Sequence, residues 1–326
     1  MRRWYPPLLA SLPLAGCGTG IQSVLSPHGA QAGQIATLAW TLFAGGAIVL
    51  VIVIAATAFA LRGSTRMRVL LAKDRTILAL GLAFPVVVLS LLLGYGIFLM
   101  RAQLTVSDAG ATRIEIVGEP WWWRVAYETI GGRVASANEI RIPVGRQVTF
   151  TLKAADVIHS FWVPSLGGKV DMIPGRTTYL RLTAERAGTY RAQCAEYCGG
   201  SHALMALAVI AMPPAEYDDW LAREAALALL PTGPQERRGR DLFLAAGCGS
   251  CHAVRGTPAV GVIGPDLTHL GSRRSVGIDT LPLDATNLVR FIVDGQHIKP
   301  GNAMPPFRNL SDDEASAIAA YLLGLR

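Results

Sequence analysis

Two clusters of sulfur and imidazole side chains dominate the chemistry available to this 326-residue chain. The first is Cys248-Gly249-Ser250-Cys251-His252. The spacing C-x-x-C-H attaches a haem through thioethers to Cys248 and Cys251 and makes His252 an axial ligand of the iron. A second axial ligand is needed for a high potential. Met304, in Gly301-Asn302-Ala303-Met304-Pro305-Pro306-Phe307, offers a thioether on a loop that two prolines stiffen and shield from water. His269 and His297 are rivals without so rigid a frame, and they read as surface or loop histidines. C-x-x-C also occurs as a thioredoxin-like dithiol or as half of a zinc site. Here no βαβ pattern surrounds it and no second C-x-x-C exists.

The second cluster is Cys194-Ala195-Glu196-Tyr197-Cys198-Gly199-Gly200-Ser201-His202-Ala203-Leu204-Met205, with His159 upstream in Asp156-Val157-Ile158-His159-Ser160-Phe161-Trp162. Two thiolates, two imidazoles and a thioether are soft-to-borderline donors that favour copper over magnesium, calcium or manganese. The single thioether argues against structural zinc. C-x3-C keeps Cys194 and Cys198 on one tight loop, close enough to bridge two metals. His159 and His202 would each terminate one copper, with Met205 and the backbone carbonyl of Glu196 as weak axial ligands. The competing reading is a Cys194–Cys198 disulfide, which leaves His159, His202 and Met205 unexplained.

The fifth cysteine, Cys17, closes Leu14-Ala15-Gly16-Cys17 behind Arg2, Arg3 and an apolar stretch. Residues 1–16 read as a lipoprotein-type signal peptide, with lipid on the Cys17 sulfur after cleavage. An ordinary signal peptide and an uncleaved N-terminus with an incidental cysteine are the alternatives.

These side chains need elements to hold them. Residues 36–61 and 76–100 are apolar runs without charge, each longer than the ~20 residues that cross a bilayer as a helix. They predict a transmembrane hairpin over 36–103, with Pro85 kinking the second helix. The connection carries Arg62, Arg66, Arg68, Lys73 and Arg75 against Asp74 alone, which places it in the cytoplasm and everything after Arg101 outside. Over 104–212 short alternating runs appear, such as Arg113–Val117, Val148–Leu152 and Tyr179–Leu182. Gly131-Gly132, Gly145 and Gly188 punctuate them, which predicts an antiparallel sandwich or barrel. Residues 213–235, bounded by prolines, read as a linker with a helical stretch around Ala215–Leu229. Residues 236–326 read as helical. Ser311-Asp312-Asp313-Glu314 forms a capping box, and Ile318, Tyr321 and Leu322 share one face of the last helix.

Composition sets the class. Hydrophobic residues make up 51% of the chain and charged ones only 16%, and the excess lies in the two runs rather than in a core. The formal net charge is +7, yet residues 1–103 alone carry eight basic residues against one acidic. The excess therefore marks membrane topology and predicts no nucleic-acid partner.

The stretch from His159 through Ser160-Phe161-Trp162-Val163-Pro164-Ser165-Leu166-Gly167-Gly168-Lys169-Val170-Asp171-Met172-Ile173-Pro174-Gly175-Arg176, with the cysteine loop behind it, closely resembles subunit II of the haem–copper cytochrome c oxidases over about residues 36–212. Residues 236–326 resemble a class I cytochrome c, in which Gly239 and Phe243 fit the N-terminal helix that crosses the last one near Tyr321. Gly264-Pro265-Asp266-Leu267 fits the loop near the proximal histidine. The combination resembles subunit II of the caa-type oxidases.

That resemblance implies a multidomain membrane protein made of a two-helix hairpin, an all-β cupredoxin-like barrel and an all-α class I cytochrome c domain. It implies a binuclear copper A centre on His159, Cys194, Glu196, Cys198, His202 and Met205, and one haem c. The implied function is a relay from haem c to copper A and on to haem a of subunit I, where oxygen is reduced and protons are translocated. Trp121, in Trp121-Trp122-Trp123, matches the tryptophan at which electrons enter, and at least one of the three rings reads as core packing. The Glu196 carboxylate matches a residue that helps hold magnesium at the subunit I boundary, and Asp171 and Arg176 match residues facing that subunit. Implied partners are subunits I and III, a cytochrome c or a quinol–cytochrome c reductase as donor, and the bacterial inner membrane, crossed twice with both redox domains outside. One departure stands: Lys73-Asp74-Arg75-Thr76-Ile77-Leu78-Ala79 lacks the glutamate that many relatives carry at the mouth of a proton path, and that role is unassigned. The alternatives are a copper-free quinol-oxidase subunit II and a free-standing membrane-anchored electron carrier.

Overall fold

A computed structural model describes residues 20, 22–104 and 110–326; Cys17 and the signal-type segment lie outside the described residues. Helix α1 (Ala30–Arg62) and the continuous stretch Asp74–Arg101 are both long and apolar enough to cross a membrane. In α1 the threonine hydroxyls turn back onto the helix, Thr37 on Gly33 O at 2.9 Å and Thr57 on Val53 O at 2.8 Å, as an apolar surrounding demands. Between them Ser64 caps a short helix α2 (Thr65–Leu71), and Arg68 reaches back to the Leu61 carbonyl at the end of α1. The second span begins as α3 (Asp74–Leu78), widens into one π turn (Ala79–Ala83) and continues as α4 (Phe84–Leu104). Pro85 lies directly behind that turn. The wider turn holds Gly81, whose carbonyl the proline ring would otherwise meet, so the proline is absorbed in the π turn rather than at a break in the helix.

Ten strands follow: β1 (Thr112–Glu119), β2 (Trp122–Thr129), β3 (Gly132–Ala137), β4 (Glu139–Pro143), β5 (Val148–Ala154), β6 (His159–Trp162), β7 (Val170–Met172), β8 (Thr178–Leu182), β9 (Gly188–Cys194) and β10 (Ala206–Met212). They form two five-stranded sheets, ordered β3-β2-β1-β5-β8 and β4-β10-β9-β6-β7. The sheets are mixed rather than purely antiparallel, because β1 pairs with β5 and β10 with β4 in parallel. The cause is the exit at Asn138, whose positive φ of 65° carries the chain from β3 into the other sheet and leaves the free edge of β1 for β5. Alternation along β1 turns Ile114 and Ile116 inward, where they meet Phe150, Phe161 and Trp123, all fully buried. The rings of Trp123 and Phe161 meet edge to face at 5.8 Å.

Two segments outside the strands complete this unit. The stretch before α1 and the first turn of that helix are stitched to the barrel by His28 N on Ser165 O (2.8 Å), Glu185 N on His28 O (2.8 Å) and Ala32 N on Leu166 O (3.2 Å). Helix α5 (Pro214–Ala225), in the proline-bounded segment, lays Tyr217 and Trp220 into the barrel core against Tyr127.

The C-terminal unit holds α6 (Pro234–Ala245), α7 (Ala285–Ile298), α8 (Asp312–Gly324) and a small hairpin of β11 (Ser275–Val276) and β12 (Leu281–Pro282). Ser311 and Glu314 close the expected capping box on α8. Helices α6 and α8 cross at Gly239, where an added Cβ would lie 1.9 Å from the Ala317 carbonyl oxygen. That contact, and Phe243 edge to face on Tyr321 at 5.7 Å, require glycine at the crossing.

The two units are docked through polar contacts and one apolar plug. Arg191 pairs with Asp279 at 2.8 Å, Arg274 N donates to Glu139 Oε1 at 2.5 Å, and Arg255 donates to the carbonyls of Ala135 and Glu224. Ile278, from the C-terminal unit, is buried in the barrel's core.

Candidate metal centre and haem cavity

The barrel end that carries the β9–β10 loop gathers the predicted soft ligands. β9 delivers Cys194, a tight turn brings back Cys198, and a 3-10 turn (His202–Leu204) presents His202 before Met205 enters β10. β6 supplies His159 from alongside, paired to β9 at Phe161–Cys194. Sγ of Cys194 and Sγ of Cys198 lie 3.7 Å apart, and both cysteines are free. Nδ1 of His159 is 3.9 Å from the Cys194 sulfur, and Nδ1 of His202 is 3.4 Å from the Cys198 sulfur. Met205 Sδ is 3.8 Å from the Cys198 sulfur, and the Glu196 carbonyl oxygen is 3.1 Å from the Cys194 sulfur. One imidazole thus faces each thiol through the same ring nitrogen. The ligand atoms of His159, Cys194 and Cys198 all lie within 4.8 Å of one another.

The surroundings select the tautomer and the charge. His159 is fully buried, and its Nε2 meets Asp156 Oδ1 at 2.8 Å, which frees Nδ1 toward the sulfurs. Burial alone would lower the His159 pKa, but its contacts with Cys194 and Asp156 outweigh that and raise it. The hydrogen bond from Cys198 favours a thiolate on Cys194, and the same contact pushes Cys198 up. A pair of sulfurs prepared in this way suits a shared soft cation. Gly118 of β1 backs the His159 ring so closely that an added Cβ would lie 2.7 Å from its Cγ and Cδ2.

The Glu196 carboxylate finds different company. Its nearest charged neighbour is Lys169, at 3.9 Å, and the side chain is 44% exposed. An ammonium rather than a second carboxylate faces it, so the geometry gives the magnesium expectation no support. Asp171 accepts from Ser160 Oγ at 2.8 Å, and Asp171 and Arg176 are both exposed.

The second site is an elongated cavity of about 400 Å³ lined by Cys248, Cys251, His252 and Met304 together with Phe243, Ile292 and Leu322. The fit to a porphyrin rests on the histidine. Its Nδ1 donates to the Pro265 carbonyl at 2.8 Å, which leaves Nε2 facing the cavity as a lone-pair donor, and burial lowers its pKa and keeps it neutral. Burial also raises Cys248, to about 11. The backbone of Met304 is tied down by Asn302 Oδ1 on its N–H (2.9 Å) and Gln296 Nε2 on its carbonyl (3.0 Å). Gly264 packs on the imidazole, where an added Cβ would lie 2.6 Å from His252 Cε1. His297 is exposed as expected; His269 lies in a turn, as a loop histidine would, but is buried rather than at the surface. Its Nε2 meets the Ala226 carbonyl at 3.2 Å, because the stretch after α5 folds back over it.

Trp121 connects the two sites. Its Nε1–H donates to the Cys198 carbonyl at 2.9 Å, and its ring touches Gly199 and Gly200 on one side and Gly301 of the C-terminal unit on the other. Trp121 and Trp122 both line the second cavity, whereas Trp123 is a core residue. Near the same junction Lys299 is 2% exposed, with its Nζ donating to the Leu204 carbonyl at 2.9 Å. Burial lowers its ammonium to about 7, against the pull of Cys198.

Sequence reasoning passed over Asp156, Gly118 and Lys299. Only Asp156 left a signal, as a carboxylate three residues before a ligand-type histidine.

Comparison with known proteins identifies two domains. Residues 131–212 match the family described as cytochrome c oxidase subunit II, periplasmic domain, and residues 236–326 match cytochrome c. Cytochrome c oxidase subunit 2 of Alkalihalophilus pseudofirmus is 40% identical over 213 residues, covering 65% of this chain and 61% of that protein. The subunit 2 of Bacillus sp. PS3 is 31% identical, covering 67% of this chain and 64% of its own length. The chain therefore spans somewhat less than two thirds of these relatives. The solved periplasmic domain of subunit II from Bradyrhizobium japonicum is 31% identical, covering 35% of this chain and 92% of that one, with a TM-score of 0.33.

Proposed function

The chain carries the periplasmic domain of cytochrome c oxidase subunit II with a cytochrome c domain behind it, the caa-type architecture, and from that premise we propose that it is the electron-accepting subunit of a respiratory terminal oxidase. In this reading electrons arrive at a haem c, reach a copper A pair in the barrel, and leave for subunit I, which reduces oxygen and translocates protons. The observation that carries it is the convergence of two thiols, two Nδ1 atoms, one thioether and one carbonyl at one buried end of the barrel. Copper and haem iron supply reversible one-electron storage when bound.

The chain's own part is positioning. His159, Cys194, Cys198, His202 and Met205 hold the copper pair with the Glu196 carbonyl. Asp156 aims His159, and the burial of Cys194, Cys198 and Met205 keeps water from the sulfurs. Cys248 and Cys251 would anchor a porphyrin, and His252, oriented by Pro265, and Met304, which lines the same cavity, would hold its iron. Trp121 links the units through its ring contact at Gly301 and its N–H on the Cys198 carbonyl. The two apolar helices anchor the chain beside its partner subunits, with both redox domains outside the membrane. Fusion replaces an encounter between proteins by a tethered one at roughly millimolar effective concentration.

The test is metal and spectral analysis of the purified full-length chain, followed by rapid mixing with a reductant. Two coppers and one haem c per chain, with the haem reduced before the copper, are expected. A chain that takes up no copper and forms a Cys194–Cys198 cystine would sink the reading.

A further inference from the structure

The loop that precedes Met304 meets the loop that carries the copper-type ligands at three points. Ser201 Oγ donates to the Pro300 carbonyl at 2.6 Å, the Trp121 ring fills the space beside Gly301, and Lys299 Nζ donates to the Leu204 carbonyl at 2.9 Å. The third contact is the unusual one. A lysine that is 2% exposed gives up hydration that a rim residue keeps, and its Nζ donates to a backbone carbonyl rather than to a carboxylate. Its acceptor lies between His202 and Met205, so the contact fixes the backbone from which two proposed ligands project. Its own backbone is fixed in turn: Lys299 N donates to Gly295 O at 2.8 Å as α7 ends, and its carbonyl accepts from Asn302 Nδ2 at 2.7 Å. Asn302 is the same side chain that holds Met304 N. A chain of direct contacts thus runs from the Met304 backbone through Asn302 and Lys299 to the peptide between His202 and Met205.

We propose that Lys299 is a positioning residue for electron transfer, a buried clamp that sets the haem-side loop against the copper-side loop and holds Trp121 in contact with both. The proposal rests on the reading of the two sites given above. Contacts such as Arg191–Asp279 lie at the rim and dock the units as bodies. Lys299 instead joins the two ligand-bearing loops with a charged group. Removing its donor takes from the half-buried Leu204 carbonyl the partner that ties it to the haem-side loop, which is expected to raise local opening of the junction about tenfold while the rim contacts keep the units together.

The test uses the full-length, metal-loaded chain and three variants. Lys299→Met keeps the length of the side chain and loses the donor. Lys299→Gln keeps a polar head and falls short of Leu204. Arg191→Ala removes a rim pair. In both Lys299 variants, copper and haem content, both spectra and both potentials are expected at parent values. Amide exchange over 199–205 and 301–304 is expected to rise about tenfold, and haem-to-copper electron equilibration to slow, whereas Arg191→Ala leaves both at parent values. Either Lys299 variant alone decides the outcome. Parent-level exchange overturns the clamp, and faster exchange with parent-level electron equilibration reduces Lys299 to a structural contact. Exchange is read whether or not the metals pass electrons, so failure of the clamp stays distinct from failure of the relay.

Discussion

Gly118→Ala tests the construction of the copper-type centre without touching a ligand. Gly118 lies in β1, and a Cβ built there falls 2.7 Å from both Cγ and Cδ2 of His159. Carbon atoms rest at about 3.5–4.0 Å, so the imidazole must retreat by roughly 1 Å. The ring is fully buried, with Trp123 at a centroid distance of 6.2 Å and Asp156 bonded to its Nε2 at 2.8 Å. A shift of that size breaks the Asp156 contact or carries Nδ1 away from the Cys194 sulfur, well outside the ~0.2 Å tolerance of a ligand bond. Losing the orientation of one ligand costs about 10–100-fold in metal affinity, or roughly 1.4–2.7 kcal/mol. The assay is copper titration of the metal-free chain followed by visible absorption and EPR, with the haem c band as internal control. A weaker, spectrally altered centre beside an unchanged haem band is expected. Parent affinity with a parent EPR spectrum would refute the claim that β1 sets the His159 geometry.

Three further outcomes follow from the same geometry. Gly264→Ala places a Cβ 2.6 Å from His252 Cε1 and 2.8 Å from Nδ1; haem still attaches at Cys248 and Cys251, but its axial-ligand spectrum shifts, and a parent spectrum would show that Gly264 does not set the ring. Gly239→Ala drives a Cβ into the backbone of Ala317, at 1.9 Å from its oxygen and 2.5 Å from its carbon, where no rotamer relieves it. It should cost the C-terminal unit about 3 kcal/mol, or upwards of ~10 °C in the haem-band melt. Burial would raise the pKa of Glu115, but hydrogen bonds from Lys153 and Arg133 outweigh it and hold the carboxyl below its ordinary value. Its contribution is therefore present above the ordinary carboxylate pKa and lost as pH falls through the lowered one, so Glu115→Gln should cost ~1 kcal/mol at pH 7 and progressively less as the pH is taken below the ordinary carboxylate range in denaturant melts.

The clustering of the proposed ligands was legible because its chemistry is written in side-chain types at short range. C-G-S-C-H and the Cys194–Met205 run each complete most of a site within one loop, and the loop folds as its spacing requires. His159 comes from another strand, yet a histidine in an alternating run beside aromatic residues is distinctive enough to be read. Helix α8 was legible for the same reason, since Ser311, Glu314 and the Ile318–Tyr321–Leu322 face all act within one element. Parallel pairing of β1 with β5 was not legible, because it depends on where the chain changes sheets, at Asn138. Burial of His269 depends in turn on the path of the chain after α5.

The residues that hold the ligands share that dependence. Gly118 matters only because β6 brings His159 beside β1, and Gly264 only because its loop folds over the His252 ring. Lys299 reads as an ordinary surface lysine until the units dock and Leu204 becomes its partner. In each case the local sequence is unremarkable and the constraint is a close approach between distant segments, so it becomes visible only with the fold. The division has a physical basis: ligand identity is set by donor chemistry, which a side chain carries with it, while ligand aim is set by excluded volume and single hydrogen bonds from elsewhere in the chain. Substitutions at the first kind of position should abolish a centre. Substitutions at the second kind should leave it loaded but mistuned, as in Gly118→Ala and Gly264→Ala, or loaded, unchanged in spectrum and slower to exchange electrons, as in Lys299→Met, which is why they are read by affinity, spectrum and rate rather than by the presence or absence of metal.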